Sequence, residues 1–145
     1  MGGLYYASQG TFVIAGTKSG TTRTAVTLTD AYDVANKTKI FETGGFSNLN
    51  LDCLYTMGAS ETSNSIELRV EGSPDRTNFY RIPNEAVSPG TSTLTAREFT
   101  FVGVNAAAAT ISIGLDIFYK NIRVSVKETG VVTNFGTIYI EGTLG

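Results

Sequence analysis

The chain of 145 residues carries a formal charge of −2 and is 41% hydrophobic, a size and apolar content that suit one folded domain. It has no histidine, no tryptophan and one cysteine, Cys53, which excludes a Ser-His-Asp triad, a Cys-His pair, a histidine-bearing zinc site and an internal disulfide. Its acidic balance and 17% charged residues argue against a nucleic-acid or anionic-membrane partner, because both need a basic face.

Residues 1–10 lack the basic and apolar regions of a signal peptide, and no apolar run reaches the ~20 residues of a membrane span. The expectation is a product made in a cytoplasm, whose N-terminal segment serves as an interaction arm with Leu4, Tyr5 and Tyr6 as contact groups. Strands are expected at 11–15 and 23–29, with the Gly-, Thr- and Ser-rich run 16–22 forming a hairpin loop and not a phosphate loop, since the GxxxxGK[ST] order is missing. Residues 29–37 could form one helical turn capped by Asp30. Further strands are expected at 39–42 and 48–55, joined by a turn at Gly44-Gly45. The second of these places Cys53 on the same face as Leu49, Leu51 and Tyr55, as a buried thiol with no base beside it.

The strongest alternation follows. Ile66, Leu68 and Val70 share one face and Glu67, Arg69 and Glu71 the other. The Pro74-Asp75 turn should fold this strand back on residues 78–82 as an antiparallel hairpin. Residues 87–90 read as a loop, 97–102 and 110–119 as strands, and the Ala106–Ala109 run as too short for a helix. In 121–127, Ile122, Val124 and Val126 point inward while Arg123, Ser125 and Lys127 point outward. That charge pattern complements Glu67, Arg69 and Glu71 if the two strands are neighbours. A turn at 127–130 and a strand at 136–141 complete the chain. About ten short strands without helical spacers predict an all-β fold, a single antiparallel β-sandwich over 1–145 of jelly-roll or immunoglobulin-like type. With few charges to blunt its edges, the sheet should be covered by a neighbouring subunit.

No catalytic, cofactor-binding or metal-ligating constellation emerges. The acids are scattered, and none follows the alternate spacing of a calcium loop. The adjacent aromatic pairs Tyr5-Tyr6, Phe79-Tyr80 and Phe118-Tyr119 each place one ring out of a strand, which favours Tyr80 and Tyr119 as outward contact groups with Phe79 and Phe118 in the core. Together with Leu4, Tyr5, Tyr6 and Phe12 they form the candidate interface.

Residues 66–82, containing Ser73-Pro-Asp-Arg-Thr-Asn-Phe79, and residues 118–130, containing Phe118-Tyr-Lys-Asn-Ile-Arg-Val124, together with the closing 136–144, resemble the strand–turn–strand pattern of small β-sandwich virion proteins of tailed phages, the capsid decoration or cement type. The resemblance implies a non-enzymatic structural protein of the virion, lying on the shell against the major capsid protein and copies of itself, as a trimer in many such proteins, with no nucleic-acid or membrane partner. Two alternatives are a tail or surface module that binds glycan or receptor, and a self-assembling filament subunit completed by a neighbour's terminal strand.

Overall fold

The computed structural model describes residues 11–32, 38–81, 83–88, 91–96, 98–102 and 108–145, with side chains over 11–32, 40–80 and 110–145. All regular elements among these residues are strands, and all ladders are antiparallel. In chain order they are β1 (Thr11–Ala15), β2 (Thr17–Ser19), β3 (Thr22–Thr24), β4 (Val26–Thr27), β5 (Thr38–Glu42), β6 (Asn48–Thr56), β7 (Ser65–Ser73), β8 (Tyr80–Arg81), β9 (Pro83–Ser88), β10 (Thr91–Ala96), β11 (Glu98–Val102), β12 (Ala108–Asp116), β13 (Asn121–Thr129) and β14 (Thr137–Leu144).

A first sheet runs β1-β14-β6-β12, with β4 also on β14. A second runs β11-β7-β13-β5, with β8 also on β7. The two pack face to face as a β-sandwich. Leu49, Leu51, Cys53 and Tyr55 of β6 and Ile138 and Ile140 of β14 share one core with Ile66, Leu68 and Val70 of β7 and Ile122, Val124 and Val126 of β13. Across the layers Phe12 meets Phe41 edge to face, with ring centroids 4.7 Å apart. The period of two places these residues: every second side chain of a paired strand points to the same side.

The structure corrects several boundaries. The segment 23–29 is not one strand. β3 folds back on β2, pairing Lys18 with Arg23, and β4 starts again after Ala25 to meet β14. The hairpin expected at 16–22 is therefore a small ladder turned by Gly20, whose φ is +58°. Of the loop expected at 87–90, Val87 and Ser88 lie in β9, which pairs with β10, and residues 89 and 90 lie outside the described residues. The turn expected at 127–130 begins later, at Gly130 (φ +81°), so Glu128 lies inside β13 and is fully buried. Most of the 29–37 helical turn lies outside the described residues, as do Ala106 and Ala107; Ala108 and Ala109 open β12.

The hairpin at Pro74-Asp75 forms as expected, with Glu71 opposite Arg81 and Gly72 opposite Tyr80. Its turn is held by Asp75. Oδ1 accepts from the amides of Thr77 (2.9 Å) and Asn78 (2.8 Å), and Oδ2 accepts from Asn78 Nδ2 (2.8 Å). These donors hold the Asp75 carboxyl far below the usual carboxylate range. The charge complementarity is also realised, because β7 and β13 are neighbours. Arg123 is opposite Glu71 and forks onto both its oxygens at 3.0 Å, and Lys127 is opposite Glu67 at 3.2 Å.

Candidate functional site

Two surfaces stand out, and the fold builds each from a different feature. The first is the outer face of the first sheet. Cross-strand registers set its side chains in rows. Glu141, Asp52 and Ser112 make one row, Tyr139, Leu54 and Thr110 the next. The β2–β3 hairpin closes over one side. Arg23 Nε and Nη2 donate to Glu141 (3.0 and 3.4 Å), Lys18 Nζ adds a 3.3 Å contact, and the guanidinium stands 5.7 Å from the centre of the Tyr139 ring. Gly16 permits this approach, since its φ is +88° and a side chain there would run into Thr24 O and Tyr139.

The Tyr139 hydroxyl donates to Glu141 Oε1 at 2.7 Å. Burial works against the charged form of Glu141. The bonds from Tyr139, Lys18 and Arg23 outweigh it and hold the carboxyl below its ordinary value. Tyr139 is pushed up to about 12 by burial and by Glu141. Beside this cluster Ser112 Oγ donates to Asp52 at 2.7 Å. Arg23, Asp52, Leu54, Thr110, Tyr139 and Glu141 line a shallow depression of about 260 Å³. Cys53 lies beneath it with its thiol pushed up to about 12, by burial first and then by Asp52, so it is poorly suited to act as a nucleophile.

The second surface lies at the end of the sandwich where the chain closes. The β5–β6 loop turns on Gly44 (φ +60°) and Gly45 (φ +87°), and the β12–β13 loop faces it. Thr43 N donates to Lys120 O (2.9 Å), Ile117 N to Ser47 O (2.7 Å) and Gly145 N to Asn48 O (2.9 Å). Both loops are thereby tied to the frame, and Ile117 is drawn into the core. Phe118 is left 86% exposed and Phe46 38% exposed, around a recess of about 500 Å³ that Ile117, Thr43 and Lys120 also line.

The sequence-derived contact residues are distributed unevenly. Leu4, Tyr5 and Tyr6 lie outside the described residues. Phe12 is buried between the sheets, so its ring belongs to the core and not to a surface. Tyr80 is 54% exposed on the short strand β8. Tyr119 is half-buried, its ring packed on Gly72 and against the core.

The Phe118-Tyr119 pair is reversed from the expected order, and in Phe79-Tyr80 the tyrosine faces outward as expected while Phe79 does not enter the core. Phe79 lies on the outer side of the second sheet with the Arg123 guanidinium 4.0 Å from its ring centre, and Phe118 points to solvent. The reason is that β12 stops at Asp116 and β8 starts only at Tyr80. Strict alternation does not run through either pair. Phe46 and Phe118 were missed as a surface pair. The only sequence signal for them is an aromatic beside each turn.

No family model matches the chain, and no curated protein is detectably similar to it. Among solved structures it is similar to the CBM22-1 xylan-binding domain of a Paenibacillus barcinonensis protein, with 8% identity and a TM-score of 0.49 over 94% of this chain and 82% of that one. It is also similar to part of tripeptidyl peptidase 2, with 5% identity and a TM-score of 0.48 over 92% of this chain and 10% of that one. A third is an exo-beta-1,3-galactanase from Phanerochaete chrysosporium, with 15% identity and a TM-score of 0.37 over 97% of this chain and 28% of that one.

Proposed function

We propose that this chain is a non-enzymatic contact protein of the capsid-decorating kind, which acts by burying the Phe46–Phe118 end against a shell protein and copies of itself. The observation that carries the reading is Phe118, a large apolar ring 86% exposed on a loop that is hydrogen-bonded into the frame. Rigid exposed aromatics are anchors for partners, since they bring much apolar area at little conformational cost. The state of the acids supports the same reading. Glu61 binds backbone amides, Glu71 binds Arg123, and Glu141 binds Lys18 and Arg23. Groups so engaged serve structure more readily than proton transfer.

The test is co-sedimentation of the purified protein with empty shells of the virus that carries the gene. Saturable binding at a fixed copy ratio, abolished in Phe118→Asp at an unchanged melting temperature, is the expected outcome. A variant that binds as the parent does would end the reading.

A second reading is a glycan-binding sandwich, and the polar depression beside Asp52 favours it. Asp52 retains acceptor capacity beyond its bond from Ser112, Thr110 offers a hydroxyl, and Leu54 is 39% exposed next to them, a combination suited to a sugar's hydroxyls and apolar C–H face. Affinity electrophoresis through soluble polysaccharides distinguishes it: retardation lost in Asp52→Ala but kept in Phe118→Asp would replace the first reading by the second.

A further inference from the structure

We propose that β12 is the pairing edge of a two-fold homodimer, in which the strand lies antiparallel to the same strand of a second copy and joins two first sheets into one.

The argument begins with a comparison of sheet margins. The opposite margin of the first sheet is β1, five residues long and bulged between Val13 and Ala15, next to the two residues of β4. The second sheet ends on β5, which carries Lys39 and Glu42, and on the short pieces β8 and β11, which carry Arg81 and Glu98. Short length, bulges and charges are the devices by which proteins blunt an edge. β12 is neither short nor bulged against β6, and its one charge, Asp116, stands at its last position. It is nine residues long and uncharged from Ala108 to Leu115, and among the described residues its ladder partner is β6 alone. Ile111 and Ile113 stay half-buried there, while the residues opposite them on β6, Cys53 and Leu51, are buried to 1% and 0% exposure. A row of backbone groups without a ladder partner among the described residues, beside half-covered isoleucines, is a template for another strand.

The occupant is argued from register. Ile111, Ile113 and Leu115 are opposite Cys53, Leu51 and Leu49 and face the core side, Thr110, Ser112 and Gly114 face outward, and Ala109 has the register position opposite Tyr55. Two identical antiparallel strands keep core side against core side only when residues of the same parity pair. Pairing along the whole strand sets Ala108 opposite Asp116 and places Ser112 opposite itself. Ile111 then faces Ile113 and Ala109 faces Leu115, each twice by symmetry. Thr110 faces Gly114, and the two Asp116 carboxylates lie at opposite ends. Chains of net charge −2 therefore meet along an uncharged line, as an isologous contact requires. This contact is independent of the Phe46–Phe118 surface.

Sedimentation equilibrium of the full chain tests it. The parent should reach twice the 15.4 kDa chain mass at accessible concentrations. Ser112→Lys and Ser112→Glu, both at an exposed position, should each weaken the dimer by about tenfold by placing like charges opposite one another, and an equimolar mixture of the two should restore it. A parent that stays monomeric into the millimolar range, an open-ended ladder of sizes, or a Ser112→Lys protein that dimerises like the parent would overturn the proposal. Should a charged variant not fold, Ser112→Cys gives a second readout. Facing strand positions lie within disulfide reach, so mild oxidation should yield a covalent dimer, and its absence would count equally against the pairing.

Discussion

At the scale of single residues, the most consequential side chain is Glu128, fully buried in the sandwich. It is tolerated because its oxygens are met: the Tyr55 hydroxyl donates to Oε2, and Gly136 N donates to Oε1 at 2.6 Å. Nearby, Glu61 Oε1 accepts from Thr133 N (2.6 Å) and Asn134 N (2.8 Å), and Oε2 accepts from Val132 N (3.0 Å). The Asn64 amide bridges Glu61 Oε2 (2.9 Å) and Gly130 O (3.0 Å). That orientation satisfies two groups where the reverse gives one 3.4 Å contact to Glu128. Tyr55→Phe removes a donor from a buried carboxylate and should lower stability by about 2–3 kcal/mol, read from urea unfolding. Gly72 is a second sensitive point. A methyl group there would overlap the Tyr119 ring, so Gly72→Ala should cost about 1–3 kcal/mol, and Tyr119→Ala in the same chain should relieve the overlap. Cys53 should resist thiol reagents in the folded protein and react on unfolding, since burial and Asp52 together disfavour its thiolate.

At the scale of elements, β7 and β13 hold each other by an apolar inner face and a charged outer one. The Arg123–Glu71 and Lys127–Glu67 pairs are cross-strand neighbours, and Arg123 and Lys127 also stand over the rings of Phe79 (4.0 Å) and Tyr32 (4.8 Å). Each pair is partly exposed, so a double-mutant cycle on Lys127 and Glu67 should return about 0.2–1 kcal/mol of coupling, smaller in high salt. The β2–β3 hairpin is attached differently. Its two cations converge on one carboxylate, Glu141, and it has few apolar anchors of its own. Glu141→Gln should therefore speed amide exchange in residues 17–24 while leaving exchange in β6 and β14 unchanged.

At the scale of the whole molecule, the groups whose ionisation folding favours or opposes define the pH range of stability. Asp75 and Glu61 have folded pKa values below their ordinary ones, so the native state binds their protons less readily than the unfolded chain does. Their stabilisation is present in full above the ordinary carboxylate range, begins to be lost as pH enters that range, and is lost completely only as pH falls through their lower folded values. Cys53 and Tyr139 are both pushed above their ordinary values, to about 12, by burial and by the neighbouring carboxylates Asp52 and Glu141. Their contribution is intact below about pH 9 and is lost as pH rises from there toward 12. Thermal melts should show a plateau at neutral pH that falls on both sides. An unchanged melting temperature at pH 3 would contradict the assignment of Asp75 and Glu61.

The sequence by itself determined the elements whose cause is local. Alternation placed Leu49, Leu51, Cys53 and Tyr55 on one face, and Ser73-Pro-Asp turned the β7–β8 hairpin, because side-chain period and turn chemistry act over a few residues. It also held the charge complementarity that β7 and β13 realise, conditional on their adjacency. Tertiary structure alone decided the rest. Which strand became the open edge, which ring of Phe118-Tyr119 met solvent, and how Lys18 and Arg23 came to Glu141, 123 and 118 positions away, depend on pairings between distant segments. The physical reason is that sheet order is set by non-local contacts. A strand's own residues specify which face is buried, and its neighbours are chosen by the packing of the whole chain.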